Sequence, residues 1–414
     1  MGYAQGFDFA EVHEIFNEHV RLTAFGNHLA QPEGAAAAPR VLDLGGLAGL
    51  SRVGYDALTP VQWPIAAPGQ GTARLFTDGC YAHPDGRARF IATAARAPLH
   101  APDPEYPLIL NTGRVRDQWH TMTRTGKSPR LSGHTPEPFI DMHRADALRC
   151  GVRAGELARV HSRWGALVAR VQHGGGVLAG NVFVPIHWND QFASDARVGG
   201  VVNPAVDPIS GEPEFKHTPV RVEPFAVRWY GFALSRQPLA ADALTYWTSI
   251  QGEQFVRYEV AGHQRLDDRS AWARAWLGAG DADADWLEYE DRSAGVYRGA
   301  HVVGERIEAC VFLSPRPELP ARSWLAGLFA QEHLPDIDRV GLLVGELSGP
   351  GIDTGPMVCS CFGVGRNTLC EAIRTQGFEH PAQITASLRA GGNCGSCVPE
   401  LRQLIAEVRA AATA

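Results

Sequence analysis

The stretch Leu108-Ile109-Leu110-Asn111-Thr112-Gly113-Arg114 is an apolar run followed by a polar turn, which is the pattern of a strand that ends in a loop. Gly113 permits close approach to the backbone, Thr112 offers a hydroxyl group, and Arg114 suits a phosphate or carbonyl oxygen. The turn therefore favours a polar ligand at the end of this strand.

Short β-like runs of the same kind recur over the next hundred residues, separated by turns that are rich in Gly and Pro. Many short strands at such spacing predict a β-barrel over residues 104–225, with one short helix at 143–149. The runs are Tyr106–Leu110, Ala158–His161, Leu167–Val171, Asn181–Pro185 and Val220–Val222.

Within the predicted barrel, the segment Gln118–Lys127 is rich in hydrogen-bond donors, since eight of its ten side chains can donate. Taken alone, this segment indicates either a site for a polyanionic ligand or a solvated loop. The chain contains only two lysines, Lys127 and Lys216, and both lie in the predicted barrel. Because Arg supplies almost every other cation of the chain, a position still occupied by Lys is of interest, and Lys216 is the candidate for binding.

The residues before the barrel, 1–103, lack the pattern of a self-contained core. An amphipathic helix is predicted over 8–25, with Asp8 as its N-cap and an apolar face toward a core. A loop is predicted over 31–39 and a hairpin around Asp85-Gly86. This region is therefore expected to be the tail of a preceding domain.

Residues 226–347 carry six of the ten tryptophans, and core packing is the ordinary role of this side chain. Strand-like runs at 296–303 and 306–313 predict a hairpin, and 323–330 predicts a helix. We expect an α+β segment that ends at a linker over 348–351.

Five of the eight cysteines fall within residues 359–397, which is not the distribution of a disulfide framework. Four of them form two close pairs, and each pair can place two sulfur atoms on a common metal centre. Spacing alone leaves open both a zinc site and an iron–sulfur cluster. The predicted metal ligands are Cys359, Cys361, Cys394 and Cys397.

The end of the chain is predicted to be helical over 368–375, 381–390 and 398–411. Cys397 precedes the last of these helices, whose dipole favours a thiolate. Cys370 lies inside the first helix and outside the paired pattern, so packing is its expected role.

Composition narrows the class of protein further. The formal net charge of −7 gives no overall electrostatic footprint for nucleic acid. No stretch approaches 18 consecutive apolar residues, and the first residues do not resemble a signal peptide. We therefore expect a cytoplasmic protein with neither nucleic-acid nor membrane partners.

The cysteine-rich segment resembles the bacterioferritin-associated-ferredoxin-like [2Fe-2S] domain. The resemblance covers about 355–410 and is carried by Val358-Cys359-Ser360-Cys361, two helices, and Gly391-Gly392-Asn393-Cys394-Gly395-Ser396-Cys397-Val398-Pro399-Glu400. It implies a small helical domain over 352–414 in which the four paired cysteines bind a [2Fe-2S] cluster.

The predicted barrel resembles the molybdopterin-dinucleotide-binding domain of the molybdopterin oxidoreductases, and most of all that of assimilatory nitrate reductases. Asn111–Arg114, Asp117–Lys127, His134–Pro138, Pro185–Asn189 and Asp207–Lys216 carry the resemblance. It implies a double-psi β-barrel and a bound molybdopterin guanine dinucleotide with molybdenum. The residues that it assigns to the cofactor are Asn111, Thr112, Gly113, Arg114, His120, Thr121, His187, Asn189 and Lys216.

For three aromatic residues near this pocket, a structural role is an alternative to contact with the cofactor. His187 follows a predicted strand, so a buried histidine with satisfied hydrogen bonds is an equal alternative to a cofactor ligand. Trp119 and Trp188 are expected to be pocket walls or core residues.

The resemblance implies a multi-domain, β-rich plus α chain that forms the C-terminal part of an assimilatory nitrate reductase, which reduces nitrate to nitrite. A [4Fe-4S] cluster and the cysteine that ligates molybdenum are expected only in a missing N-terminal part. The expected partners are that N-terminal half or a companion subunit, and an electron donor such as a ferredoxin, a flavodoxin or an NADH-dependent reductase.

No catalytic residue is assigned in this chain, and we expect the isolated chain to be inactive. The alternatives are a non-catalytic electron-transfer or cofactor-binding subunit and a zinc-stabilised structural module.

Overall fold

The computed structural model describes residues 2–27, 40–92, 94–278, 284–348 and 353–413. The chain divides into two compact units, Met1–Arg96 and Ala97–Ala414, which are described separately. The predicted loop over 31–39 lies outside the described residues, as does the predicted linker at 348–351 apart from its first residue.

The described residues of the first unit form two α-helices, α1 (Val12–Ala24) and α2 (Arg52–Asp56), and two single turns of 3-10 helix. Helix α1 confirms the predicted helix, but its N-cap is Glu11 and not Asp8. Glu11 and Glu14 form a reciprocal capping box, which satisfies the free backbone N–H groups of the first turn. The predicted cap was wrong because the helix begins three residues later.

The first unit has a sparse core among its described residues. On α1, Val20 is fully buried, whereas Val12 and Ile15 of the predicted core face are 60% and 51% exposed. The predicted hairpin around Asp85-Gly86 was wrong, because its described residues form turns and not strands. Ile91, in one of the expected arms, is 82% exposed, so strand pairing there would bury little apolar surface.

The second unit opens with a closed six-stranded barrel in the order β1-β5-β2-β4-β3-β6. The pairs β1/β5 and β2/β4 are parallel, and the remaining pairs are antiparallel. Two helices lie between the strands, α3 (Pro129–Ser132) and α4 (Arg144–Cys150). The strands are β1 (Leu108–Gly113), β2 (Phe139–Met142), β3 (Leu157–His161), β4 (Ala166–Gln172), β5 (Asn181–Pro185) and β6 (Thr218–Pro224).

The parallel pairing of β1 with β5 positions the candidate site. Thr112 lies opposite Val184, and Gly113 lies opposite Pro185. The turn after β1 and the His187 segment after β5 therefore leave the barrel at the same end. Strand β2, four residues long, was not predicted, because it is too short to show alternation.

A six-stranded sheet follows the barrel, in the order β10-β11-β12-β7-β9-β8. One face packs on α5 and the other on α6 and α7, which makes this an α+β segment. Its strands are β7 (Trp229–Ser235), β8 (Tyr246–Gln251), β9 (Val256–Gly262), β10 (Ala284–Asp291), β11 (Val296–Val303) and β12 (Arg306–Ser314), and its helices are α5 (Arg269–Leu277), α6 (Arg322–Leu328) and α7 (Asp336–Val344).

The two cores of the sheet confirm that its tryptophans serve packing. Trp229 and Trp247 are buried in one core, where three others pack at its border, and Trp324 is buried in the core on the opposite face. Strands β11 and β12 confirm the predicted hairpin, and α6 confirms the predicted helix.

The cysteine module, as we call residues 353–413, consists of a small hairpin and three helices. The hairpin joins β13 (Met357–Cys359) to β14 (Val364–Gly365). The three predicted helices are confirmed as α8 (Arg366–Gln376), α9 (Pro381–Leu388) and α10 (Val398–Thr413). Cys370 packs against the apolar core of the module. With the closed barrel and the α+β sheet, this module confirms the expected β-rich, multi-domain fold class.

A buried ionic cluster joins the barrel to the sheet. Glu259 on β9 is 1% exposed and accepts from Arg322 at 2.6 Å and from Arg257 at 2.7 Å, while Arg170 of β4 lies 3.8 Å away. Burial alone would raise the pKa of Glu259, but the three guanidinium groups outweigh it and lower the pKa to about 2. Arg170 also binds Glu137 at 2.7 Å, so charged groups of the barrel and of the sheet form one interior network.

Candidate functional site

The barrel loop, defined as residues 114–127, leaves β1 and folds back over the end of the barrel. His120 and Met122 have φ angles of 42° and 62°, in the left-handed region that residues other than glycine rarely adopt. Met122 is buried against Trp188, which holds the turn in this conformation. Such strained turns cluster at binding sites, because the surrounding structure must stabilise them.

His187 organises this loop from its buried position after β5. Its Nε2 accepts from the backbone N–H of Val115 at 2.9 Å, and its Nδ1 lies 2.6 Å from the backbone oxygen of His120. That pattern requires the neutral Nδ1–H tautomer, and burial lowers the pKa of the ring. Because both ring nitrogens are engaged, the structure favours the alternative of a satisfied buried histidine.

Lys216 reaches the end of β1 from the segment before β6. Its Nζ donates to the backbone oxygen of Thr112 at 2.5 Å. The Thr112 hydroxyl is buried and has no hydrogen-bond partner among the described residues. A Cβ at Gly113 would lie 3.3 Å from Phe183 and 3.7 Å from Lys216 Nζ, so the lack of a side chain here keeps this space open. An open backbone beside a cation suits a polar, anionic ligand, whereas the Thr112 side chain lies with Leu110 on the opposite, buried face of β1.

The remaining predicted residues lie on or beside the same loop. The Arg114 guanidinium lies 5.2 Å from the centre of the Trp119 ring, which in turn meets the His120 ring edge-on at 4.8 Å. Asn189 donates to the backbone oxygen of Thr121 at 3.3 Å. The structure therefore gathers the predicted residues at one end of the barrel, with Asn111 exposed on β1. Their role in holding a dinucleotide stays a prediction.

The four paired cysteines form two sulfur pairs that cross between the motifs. Cys361 Sγ lies 3.4 Å from Cys394 Sγ, and the Cys359 and Cys397 thiols are in hydrogen-bond contact. Each pair thus takes one cysteine from Cys-x-Cys and one from Cys-x-x-Cys. All four are free thiols, and a 3.4 Å separation is far longer than the roughly 2.05 Å of a disulfide bond.

The two sulfur pairs lie in different environments. Cys359 and Cys397 are buried, and burial raises the pKa of the Cys397 thiol to about 11. Burial of Cys397 therefore opposes the preference for a thiolate that the start of α10 provides. Cys394 is exposed, and hydrogen bonding to Ser396 lowers its pKa. Asn393 donates to Cys361 Sγ at 3.4 Å.

This donor set fits a binuclear cluster better than a single zinc ion. A zinc site needs all four sulfurs at about 2.3 Å from one centre, whereas a [2Fe-2S] cluster needs two thiolates on each of two irons. Over the described ranges, no three His, Cys, Asp or Glu side chains are grouped so that they could hold one metal ion. Two separate pairs of thiols are the arrangement that a binuclear cluster requires.

A polar cluster that the sequence pattern did not predict joins the barrel loop to the cysteine module. Arg116 donates to Glu400 at 2.8 Å, Ser360 donates to Asp117 at 2.8 Å, and His134 lies 3.5 Å from both carboxylates. Burial would raise the pKa of Glu400, but His134 and Arg116 together lower it, so Glu400 is a carboxylate. Ser360 and Glu400 lie within the cysteine motif, and this position was the sequence signal that could have identified the cluster.

A cavity of about 390 Å³ lies between the barrel loop and the module. All four paired cysteines line it from the module, and Arg116, Asp117, Gln118, Trp119 and Thr125 line it from the barrel loop. The amide nitrogen of Gln118 is buried without a partner among the described residues. The loop that carries predicted dinucleotide contacts therefore also faces the thiols.

None of the helices in the described residues combines the length and the apolar character that a membrane crossing needs.

Two protein-family models match this chain. The molydopterin dinucleotide binding domain matches residues 108–219, and the BFD-like [2Fe-2S] binding domain matches residues 357–407. The first match covers almost the whole closed barrel, and the second covers both sulfur pairs.

Curated relatives named "Nitrate reductase" align with almost the whole chain. The Klebsiella oxytoca protein is 36% identical over 98% of this chain and 44% of its own length, and the Shewanella frigidimarina protein is 31% identical over 97% and 45%. The "Assimilatory nitrate reductase catalytic subunit" of Bacillus subtilis is 30% identical over 54% of this chain and 29% of its own length. The chain thus spans less than half the length of these relatives.

The barrel, the two sulfur pairs and these similarities agree on the cofactors, molybdopterin guanine dinucleotide with molybdenum and a [2Fe-2S] cluster. The chain combines a molybdopterin-dinucleotide-binding barrel with a BFD-like [2Fe-2S] domain, and over almost its whole length it is similar to part of these nitrate reductases.

Proposed function

We propose that this chain is the part of a cytoplasmic assimilatory nitrate reductase that holds the dinucleotide end of the molybdenum cofactor and relays electrons to it from the [2Fe-2S] cluster. The observation that carries the proposal is the double role of the barrel loop. Arg114 and His120 of the loop belong to the predicted dinucleotide pocket, while Gln118 and Thr125 line the thiol cavity. The names of the aligned relatives support nitrate as the substrate of the whole enzyme.

In this proposal the chain binds and orients cofactors that carry the chemistry. When bound, the molybdenum centre supplies the two-electron reduction of nitrate to nitrite, and the cluster supplies electrons one at a time. Arg114 and Lys216 offer cations to the dinucleotide. Cys394 and Cys361 lie at the more exposed side of the cluster site, where an external donor can approach.

The pocket assignment predicts that Arg114→Ala and Lys216→Ala lower the molybdenum content of the full-length or reconstituted enzyme. A lost hydrogen bond to a charged group costs about 1.5–3 kcal/mol, which is about ten- to a hundredfold in affinity. The [2Fe-2S] spectrum should stay unchanged, because these side chains are not among those that line the thiol cavity. Metal analysis and visible spectroscopy on the same samples measure both effects.

Lys127→Ala is the matched control, because Lys127 is an exposed lysine of the same loop. It should retain normal molybdenum. A normal molybdenum content in both Arg114→Ala and Lys216→Ala would contradict the assignment of these residues to the pocket.

Nitrate reduction itself is tested by assembling the enzyme. We expect the purified chain alone to show no nitrite formation with reduced viologen, and activity to appear when a second polypeptide supplies the part of the relatives that this chain does not span. Turnover by the chain alone would contradict the expectation. If the second polypeptide is equally active with and without this chain, the chain is an accessory electron-transfer subunit and not part of the catalytic unit.

A further inference from the structure

Arg116 connects the barrel loop to the cysteine module at two points, and it also bonds to its neighbour in the loop. It donates to the backbone oxygen of Val358 at 2.5 Å, to Glu400 at 2.8 Å, and to the neighbouring Asp117 at 3.2 Å. Val358 immediately precedes the first paired cysteine, and Glu400 lies in the first turn of α10 after the last one. The Arg116 side chain is only 16% exposed, so these bonds are largely shielded from water.

Asp117 adds a second connection at the same place. Its carboxylate accepts from the hydroxyl of Ser360, the residue between Cys359 and Cys361. His134 from the segment after α3 lies 3.5 Å from the carboxylates of both Asp117 and Glu400. The barrel loop thus holds both cysteine motifs through neighbours of the ligands.

These fixed charges act on the sulfur atoms. Arg116 and Asp117 line the same cavity as the four thiols, so both charges lie close to the sulfur atoms. Charges that are partly buried are weakly screened by solvent and salt. A cluster with four thiolate ligands becomes more negative on reduction, so a neighbouring cation favours the reduced form and a neighbouring anion opposes it.

We propose that Arg116 is a positioning and redox-tuning residue, which fastens the cysteine module to the barrel loop and raises the reduction potential of the [2Fe-2S] cluster. The three nearby charges then act with opposite signs: Arg116 stabilises the reduced cluster, and Asp117 and Glu400 destabilise it. The proposal depends on cluster binding and not on nitrate reduction, so the two can fail separately.

The test is a redox titration of the full chain, purified or reconstituted anaerobically with iron and sulfide and followed by the electron paramagnetic resonance signal of the reduced cluster. At a fixed potential, Arg116→Gln should lower the reduced-to-oxidised ratio by about tenfold, which equals about 59 mV for a one-electron couple. Arg116→Lys should keep most of the wild-type ratio, because it keeps the charge. Glu400→Gln and Asp117→Asn should raise the ratio.

Arg366→Gln is the matched control. Arg366 is a partly exposed arginine of the module that pairs with Glu407 at 2.8 Å and does not line the thiol cavity. It should leave the ratio unchanged. An unchanged ratio in Arg116→Gln with full iron content would overturn the proposal.

If Arg116→Gln does not retain iron, the carboxylate variants decide the question. A raised ratio in Glu400→Gln and Asp117→Asn supports the charge argument, and an unchanged or lowered ratio in both overturns it.

Discussion

A Cys→Ser change at any one of Cys359, Cys361, Cys394 and Cys397 is expected to abolish the visible spectrum of the anaerobically purified chain. The wild-type chain should contain about two iron and two sulfide, and its charge-transfer bands should bleach on reduction. Each of these cysteines is half of a sulfur pair, so its loss would leave three of the four thiolates that a [2Fe-2S] cluster needs. Iron and sulfide analysis together with visible spectroscopy measure the effect.

Cys370→Ser is the control for this loss. Cys370 packs against the apolar core of the same module but belongs to neither sulfur pair, so its variant should keep the full cluster. A colourless wild-type chain with one zinc per molecule would contradict the cluster assignment.

Glu259→Ala is expected to lower the free energy of unfolding by about 3–5 kcal/mol, the usual result of removing one partner from a buried ion pair. The variant leaves the guanidinium groups of Arg257 and Arg322 without their shared buried carboxylate. Arg170 loses its charge neighbour at 3.8 Å but keeps Glu137. Urea unfolding followed by tryptophan fluorescence measures the change, because Trp229 and Trp247 lie in the core of the same sheet.

The same carboxylate predicts a pH dependence. Its pKa falls from about 4.5 in an exposed carboxyl group to about 2 in the folded chain, so the folded state binds fewer protons than the unfolded state. The stabilisation is fully present above the unfolded pKa and is lost as the pH falls from about 4.5 toward 2. The unfolding midpoint of Glu259→Gln should therefore depend less on pH in this range than that of the wild type.

Asp267→Asn is the control for this carboxylate. Asp267 pairs with Arg265 at 2.9 Å, but both side chains are more than 80% exposed, and exposed pairs contribute little. Its unfolding curve should match that of the wild type. If Glu259→Ala unfolds at the same urea concentration as the wild type, the buried cluster does not hold the barrel to the sheet.

Several features of the fold follow from short stretches of sequence. Asn181–Pro185 and Leu157–His161 form the strands that their β-branched and apolar residues predict. The helix after Cys397 begins where the apolar pattern begins. The failures have local causes as well: the helix predicted from Asp8 starts later because Glu11 and Glu14 cap each other, and β2 is too short to show a period.

The role of His187 illustrates a limit of sequence patterns. A histidine after a strand has the same appearance in a sequence whether it binds a ligand or supports a loop. The choice depends on Val115 and His120, whose backbone groups engage both ring nitrogens only after the barrel loop has folded back. Hydrogen bonds between a histidine ring and backbone groups that are 67 and 72 residues away leave no trace in residue type.

The sequence by itself determined the β-rich barrel and the order of the segments, and it predicted the four cysteine ligands, because short-range spacing and periodicity set local conformation. The tertiary structure alone decided which sulfurs pair, since each pair joins two motifs that are 33 or more residues apart. It also decided that Arg116 meets Glu400 across 284 residues. Contacts at such separations depend on how the barrel and the module pack, and packing is a property of the whole chain.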